Sequence, residues 1–425
     1  MMMCFGTGAV VSFLWGIVTF SITFGPSPST DDILGWGDYA TVDNIGPLTN
    51  PHPAAPTITL HTYSMYQLMF AIITVAIICG AVVGKMKWTY WMAFAALWHV
   101  GVYCPLAHWI FLPSGWLNRY GLLDFAGGMV IHVSSGVSAF VLAWLLGGKV
   151  PTQAHVPHNV PFVLLGAALL WFGWFGFNAG SALSSGYVAG LAFTTTQYSA
   201  AAACFTWNLM EIAFAGDKFG MGRPTAVGSA TGIVAGLVGV TPGAGLVSPM
   251  WGLFIGVFTS ASCFFMPKLM KRLTGVDDVL DCFALHGIGG MVGTALTGLF
   301  ANTAFSGLLP ISGAFKNHEA TYKGSFYGSA VQLGIQCAGI SVTILYSVVC
   351  TVLIYGVLWA VAKVLGDTVY IPEDQRHTAD VSQHGESAYF TGSLRKAPMA
   401  VRTPAVAEGA MEGAAAGATA STAAV

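Results

Sequence analysis

Apolar runs of membrane length alternate with short polar segments along the chain. Ten runs lie near residues 4–24, 63–84, 89–111, 123–147, 160–178, 188–215, 225–242, 249–269, 283–301 and 329–365. A bilayer core about 30 Å thick needs roughly 20 apolar residues per helix. Each run therefore predicts a spanning helix, the last an unusually long one. The intervening segments hold the Pro, Asn, Asp and Lys residues of loops. The two longest, 25–62 and 302–328, are polar and contain Pro or Gly.

Composition agrees with the pattern. Of 425 residues, 55% are hydrophobic and only 8% charged, where a soluble domain carries about a quarter charged residues. The fold class is therefore an all-α polytopic membrane protein, with the lipid bilayer as its surroundings. A net charge of −2 without a basic cluster gives no case for nucleic acid. The 53 glycines are spread through the apolar runs, a distribution that suits close helix packing in lipid. The eight cysteines lie in or beside apolar runs without metal-type spacing and read as small buried apolar residues. Met1 leads directly into an apolar run, with no separable signal peptide.

Charge sets the orientation. Ten spans put both termini on one side. If that side is the cytoplasm, the inner segments receive Lys85, Lys87, Lys149, Lys218, Arg223, Lys268, Lys271, Arg272, Lys363, Arg376, Arg395, Lys396 and Arg402, and the outer ones only Arg119, Lys316 and Lys323. Thirteen against three is a positive-inside signal that the inverted topology would reverse. The expected organisation is a transmembrane domain over 1–365, a cytoplasmic tail over 366–402 and a disordered low-complexity end over 403–425.

Two stretches within this frame echo each other. Asp124-Phe-Ala-Gly-Gly-Met-Val-Ile-His132 and Asp281-Cys-Phe-Ala-Leu-His286 each open on an aspartate and place one histidine in apolar sequence. Each histidine has a glycine four residues later, Gly136 and Gly290, and small residues continue at Ala139 and Ala143, and at Gly293 and Thr297. Such stripes let helices approach closely. The two spans run in opposite directions, as an inverted repeat requires, and the working site of such a repeat lies at its interface. His132 and His286 are then expected to meet in a pore. The alternative is two unrelated histidines, each satisfied by a neighbouring helix.

Other ionisable groups in spans have plainer readings. His99 lacks a small-residue stripe and reads as a satisfied packing histidine, and His108 as interfacial. Glu211 lies near a span end, where snorkelling explains it. Asp124 caps the start of its span or also stabilises a cation in an outer vestibule; Asp281 reads as a cap. Phe70, Trp109, Phe111, Trp116 and the stretch Gly173–Ser181 crowd the outer side. Aromatics there commonly serve as interface anchors. A cluster at one mouth would instead hold a small cation at about 1–2 kcal/mol per desolvated contact, above a constriction that favours neutral molecules.

Asp124-Phe-Ala-Gly-Gly-x-x-x-His132, Gly173-Trp-Phe-Gly-Phe-Asn-Ala-Gly-Ser181, Ile233-Val-Ala-Gly-Leu-Val-Gly-Val-Thr-Pro242, Val276-Asp-Asp278 and Asp281-x-Phe-x-x-His286-Gly together resemble the Amt/Mep/Rh ammonium transporters. The likeness is to the Amt/Mep branch more than to the Rhesus branch, and covers roughly residues 5–390. The resemblance implies an inverted-repeat helical bundle assembled as a homotrimer, with a pore in each subunit. It assigns His132 and His286 as the twin pore histidines and Asp124 as the structural, deprotonation-linked aspartate. It makes Trp174 the pore-wall tryptophan, Phe70 and Phe177 the stacked gate, and Ser181 part of the outer cation site. Ammonium would be captured outside and deprotonated, and ammonia would pass along the histidines, with or without the proton.

Three features depart from the family pattern. Phe111 stands at the outer recruitment site where a tryptophan is usual, a weaker cation–π partner that Trp109 replaces only if the backbone turns. Ten spans stand where eleven are usual, as though the family's first helix were missing. The tail Asp380–Tyr389 matches the family's subunit-coupling tail, with Ser382 where plant relatives carry a regulatory threonine. Phosphorylation of Ser382 by a cytoplasmic kinase or regulator would add about −1.5 to −2 charge. No catalytic residue, cofactor or metal is expected: no two histidines share a span at ligand spacing. The other readings are an ammonium sensor with little conduction, or a channel for another small solute such as methylammonium.

Overall fold

A computed structural model describes residues 1–27, 33–42, 45–46, 51–147, 157–214, 216, 222–276, 278, 280–302, 304, 323–328 and 330–387. Lys149, Lys218, Lys316, Arg395, Lys396, Arg402 and the low-complexity end 403–425 lie outside them. The chain divides into two compact units, Met1–His377 and Thr378–Val425.

The first unit is built from ten long helices among the described residues: α1 (Met2–Phe24), α2 (Leu60–Cys79), α3 (Trp88–Arg119), α4 (Gly128–Leu146), α5 (Val160–Gly180), α6 (Tyr187–Phe214), α7 (Ala226–Gly243), α8 (Pro249–Thr274), α9 (Phe283–Phe300) and α10 (Ala330–Val364). All but α6 are long and apolar enough to cross a membrane. With 28 residues, α6 reaches about 40 Å at 1.5 Å per residue, so length is not what sets it apart. Local chemistry starts several helices. The side chains of Thr59, Asn159, Thr225 and Ser248 accept the N–H of Thr62, Phe162, Gly228 and Trp251 at the heads of α2, α5, α7 and α8. Glu211 does not snorkel. Its carboxylate accepts the N–H and hydroxyl of Thr225 at 2.7 and 2.9 Å, tying the end of α6 to the start of α7.

Glycines set the central crossing. A Cβ at Gly136 would lie 2.1 Å from the backbone N of Gly287, and one at Gly290 would lie 2.9 Å from the carbonyl of Gly128. Residue numbers thus rise along α4 as they fall along α9, so the two helices are antiparallel. Gly293 faces α7 instead, where its Cβ would meet the carbonyl of Gly239 at 2.1 Å. The small face of α9 is therefore shared between two neighbours.

Between α3 and α4 the chain is not helical, and its polar groups are paired inside the protein, as backbone at membrane depth requires. Gln336 on α10 accepts the N–H of Leu123 at 2.9 Å and donates to its carbonyl at 2.7 Å, and Gln332 donates to the carbonyl of Gly121 at 3.0 Å. Beyond α10 the chain folds back within the same unit. Lys87 N–H donates to the Val369 carbonyl at 2.9 Å and Ile371 N–H to the Lys85 carbonyl at 2.7 Å. Lys87 also pairs with Asp367, and its ammonium holds that carboxyl below the usual carboxylate range. An exposed ion pair contributes about 0–1 kcal/mol. Burying Val369 and Ile371, each 1% exposed, contributes roughly 1.5–3 kcal/mol apiece and dominates. Residues 366–377 thus belong to the first compact unit.

Replacing Gly136 by Ala forces a Cβ against backbone and should destabilise the bundle by roughly 1–3 kcal/mol. Gly356→Ala, with open space around its Cβ, should be near neutral. Melting of detergent-solubilised protein checks the pair, with a lowered midpoint expected for the first substitution only.

Candidate functional site

The site is built where α2, α4, α5 and α9 converge. The first turn of α4 is wound round one carboxylate. Asp124 Oδ1 accepts the N–H of Gly127 and Gly128 at 2.8 and 2.6 Å, and Oδ2 those of Met129 and Val130 at 2.8 and 3.2 Å. Gly127 permits this with φ +107°, a left-handed conformation in which a Cβ would lie 2.4 Å from Ile131 Cδ1. The counterpart on α9 is Asp278, not Asp281. Asp278 accepts the N–H of Cys282 at 3.0 Å and of Phe283 at 2.7 Å, while burial pushes its carboxyl up. Asp281 instead takes a positive φ of 53° ahead of the helix. Aligned this way, both halves place the histidine eight residues after the capping aspartate, and each histidine lies in a π-helical segment, Gly128–Val133 or Phe283–Ile288. Such segments are frequent at functional sites.

The two halves bring the imidazoles together, His132 Nδ1 to His286 Nδ1 at 3.1 Å. One nitrogen must donate and the other accept, so the rings carry opposite tautomers. One Nε2 then bears a proton and the other a lone pair, and swapping the two requires the shared proton to cross in one direction and an Nε2 proton to reach the other ring. Among the described residues, His132 Nε2 is buried without a hydrogen-bond partner. An unsatisfied buried polar atom calls for an explanation.

Aromatic rings wall the pair in. Trp174 stacks on His132 with centroids 5.4 Å apart, and Phe177 lies 6.1 Å from it. A polar cluster holds Trp174: its Nε1 donates to Thr241 Oγ1 at 2.9 Å, Thr241 lies 3.3 Å from Asn178 Oδ1, and Asn178 donates to Thr196 at 2.9 Å. Phe177 in turn stacks on Phe70 at 4.5 Å and 19°. On the far side of the histidines Phe140 of α4 meets Phe283 of α9 at 4.8 Å.

Cavities lie beyond each aromatic pair. One of about 50 Å³ is lined by Phe70, Phe111, Tyr66, Ser181, Asp124 and neighbours. Phe111 meets Phe70 edge-on at 6.2 Å. Tyr66 hydroxyl lies 2.6 Å from the Phe177 carbonyl and 3.0 Å from Ser181 Oγ, which itself donates to that carbonyl at 2.9 Å. Each hydroxyl oxygen keeps lone-pair capacity whichever of the two donates in the contact between them. Trp109 does not replace Phe111; it packs on Tyr346 at 4.8 Å and donates to the Ile33 carbonyl. The second cavity, about 320 Å³, is lined by Phe140, Phe283, Asp278, Asp281, Lys268 and Lys271 among others.

The structure therefore gathers His132, His286, Trp174, Phe177, Phe70 and Phe111 into one run of ring contacts, with Asp124 and Ser181 lining the cavity at its end. Ser382 belongs to the second unit, where it is exposed in the short helix α11 (Ala379–His384). His99 is a packing residue, bonded to Thr19 at 2.8 Å. Tyr66, Thr241, Phe140, Gln332 and Gln336 were missed. The glutamines carried a signal, two polar residues four apart in an apolar 35-residue helix. Tyr66 and Phe140 carried none.

Comparison with known proteins identifies the family. The model of the Ammonium Transporter Family matches residues 1–389. An ammonium transporter of Aquifex aeolicus is 40% identical over 91% of this chain and 84% of its own, and one of Bacillus subtilis 37% identical over 91% and 88%. The crystal structure of Saccharomyces cerevisiae Mep2 superposes with a TM-score of 0.75 at 31% identity, covering 87% of this chain and 78% of that one. An all-helical bundle with paired histidines at an antiparallel crossing, matched by relatives over nine-tenths of its length, is an integral membrane protein that belongs to the ammonium transporter family.

Proposed function

We propose that the line of residues from Phe111 to the cavity of Lys268 and Lys271 is an ammonium conduction path. The observation that carries this reading is the buried, unpartnered His132 Nε2 between two aromatic constrictions. Ammonia is small enough to satisfy such an atom, donating N–H to a lone pair or accepting N–H in the other tautomer.

Magnitudes decide which species passes the rings. Stripping an ammonium ion of water costs several kcal/mol, whereas each aromatic contact returns about 1–2 kcal/mol. The ion is therefore held in the outer cavity, by Phe111 and the oxygens of Ser181 and Tyr66; it gives its proton back to the outer water, and the neutral molecule goes on. Parting Phe70 from Phe177 gives up about 0.5–1.5 kcal/mol for the stacked pair in addition to the area the rings bury against each other, so the stack acts as a gate. Asp124 acts as an anchor whose charge faces the cation. Its oxygens already accept four N–H groups, and taking the proton would displace at least one.

The orientation follows the Lys-rich end, with the Lys268 cavity and the C-terminus in the cytoplasm and the plasma membrane as location. The protein works as a homotrimeric transporter, not as an enzyme. Ser382, exposed on α11, is a modification site through which a cytoplasmic kinase tunes the tail. The 1–377 unit conducts, and 378–425 regulates.

His132→Ala and His286→Ala should each change ammonium uptake or ammonium/methylammonium selectivity in proteoliposomes at unaltered melting temperature; wild-type values of both in both variants would sink the twin-histidine path. Phe111→Trp should lower the half-saturating ammonium concentration about two- to fivefold, for a cation–π gain of roughly 0.5–1 kcal/mol, and an unchanged value would remove Phe111 from the capture site. Growth of a yeast without its own ammonium permeases on low ammonium tests the function itself. A sensor that scarcely conducts would reach the cell surface and fail to support growth.

A further inference from the structure

Three thiols from distant parts of the sequence meet at the end of the bundle that carries Lys85 and Lys87. Cys4 lies in the first turn of α1, Cys79 is the last residue of α2 and Cys282 directly precedes α9. Cys4 Sγ and Cys79 Sγ are 3.1 Å apart, and both are free thiols, the first exposed and the second buried. Cys282 Sγ lies 3.3 Å from the Ile77 carbonyl, and a Cβ on Gly80 would come within 2.4 Å of it. The third sulfur thus rests on the turn that holds Cys79.

We propose that Cys4 and Cys79 form a peroxide-oxidisable dithiol that ties α1 to the gate helix α2. The exposed thiol meets the oxidant and the buried one resolves it. Cys4–SH reacts with HOOH to give Cys4–SOH and water; Cys79–SH then displaces the hydroxyl, leaving a Cys4–Cys79 disulfide and a second water. Two thiols lose two electrons and two protons, and one peroxide takes them up. Closing 3.1 Å to a bond of about 2.05 Å asks for about 1 Å of movement, and both residues sit at helix ends. The proposed orientation puts this end in the cytoplasm, where disulfides are transient, so the bond reports oxidant and is undone by cellular dithiols. It acts on conduction because α2 also carries Phe70 of the gate, a step that rests on the function proposed above.

Cys337 supplies an internal control, being exposed on α10 with no second thiol within hydrogen-bonding distance among the described residues. The full-length protein in proteoliposomes is treated with hydrogen peroxide and its disulfides are mapped by mass spectrometry. The expected result is a species about 2 Da lighter with Cys4 linked to Cys79, restored by dithiothreitol and absent in Cys4→Ser. Methylammonium uptake should fall by about half on oxidation and stay constant in Cys4→Ser. Linkage of another pair, oxidation confined to Cys337, or full retention of thiols overturns the dithiol whatever the transport reading. Correct linkage with unchanged uptake, in protein that conducts, overturns the tie to the gate.

Discussion

The close antiparallel contact of α4 with α9 is the constraint on which the site depends. It exists because residue 136 has no side chain: a Cβ there would stand 2.1 Å from the Gly287 nitrogen. Only at that separation can two imidazoles from opposite halves of the chain come within 3.1 Å and share a proton. The capping aspartates fix the height of each ring. Asp124 and Asp278 gather the first N–H groups of their helices, and each sets its histidine eight residues further on. Contact, caps and π-turns therefore form one device, repeated with inverted direction.

The surroundings hold that device at low cost in buried polarity. Where the chain leaves helical geometry before α4, Gln332 and Gln336 supply the partners that lipid cannot. Where Trp174 must lie flat on His132, Thr241, Asn178 and Thr196 hold its indole. The indole and the non-helical backbone beside the pore are thus paired, while Nε2 of His132, between the aromatic rings, is buried and without a partner among the described residues.

Much of this was legible in the sequence, for physical reasons that differ by feature. The ten long helices followed from apolar run length, and all but α6 are apolar enough to cross a membrane. The histidine pair followed from an echo in two apolar stretches, because ionisable groups in lipid are rare enough to be conspicuous. The echo was nevertheless aligned on the wrong aspartate. Asp281 lies nearer to His286 in sequence, but its positive φ turns the chain into the helix, and Asp278 caps it. Phe140 and Tyr66 were invisible because a ring in an apolar run looks the same whether it faces lipid or pore. Trp109 and Phe111, two residues apart, could be told apart only once α3 fixed which face met Phe70.

Proteoliposomes loaded with a luminal pH dye and mixed rapidly with an ammonium salt test the central claim most directly. If neutral ammonia leaves the outer cavity and crosses past the histidines, the lumen turns alkaline faster than in protein-free vesicles, and His132→Ala alters that rate. A rate equal to that of bare lipid, for correctly folded protein, would contradict the account.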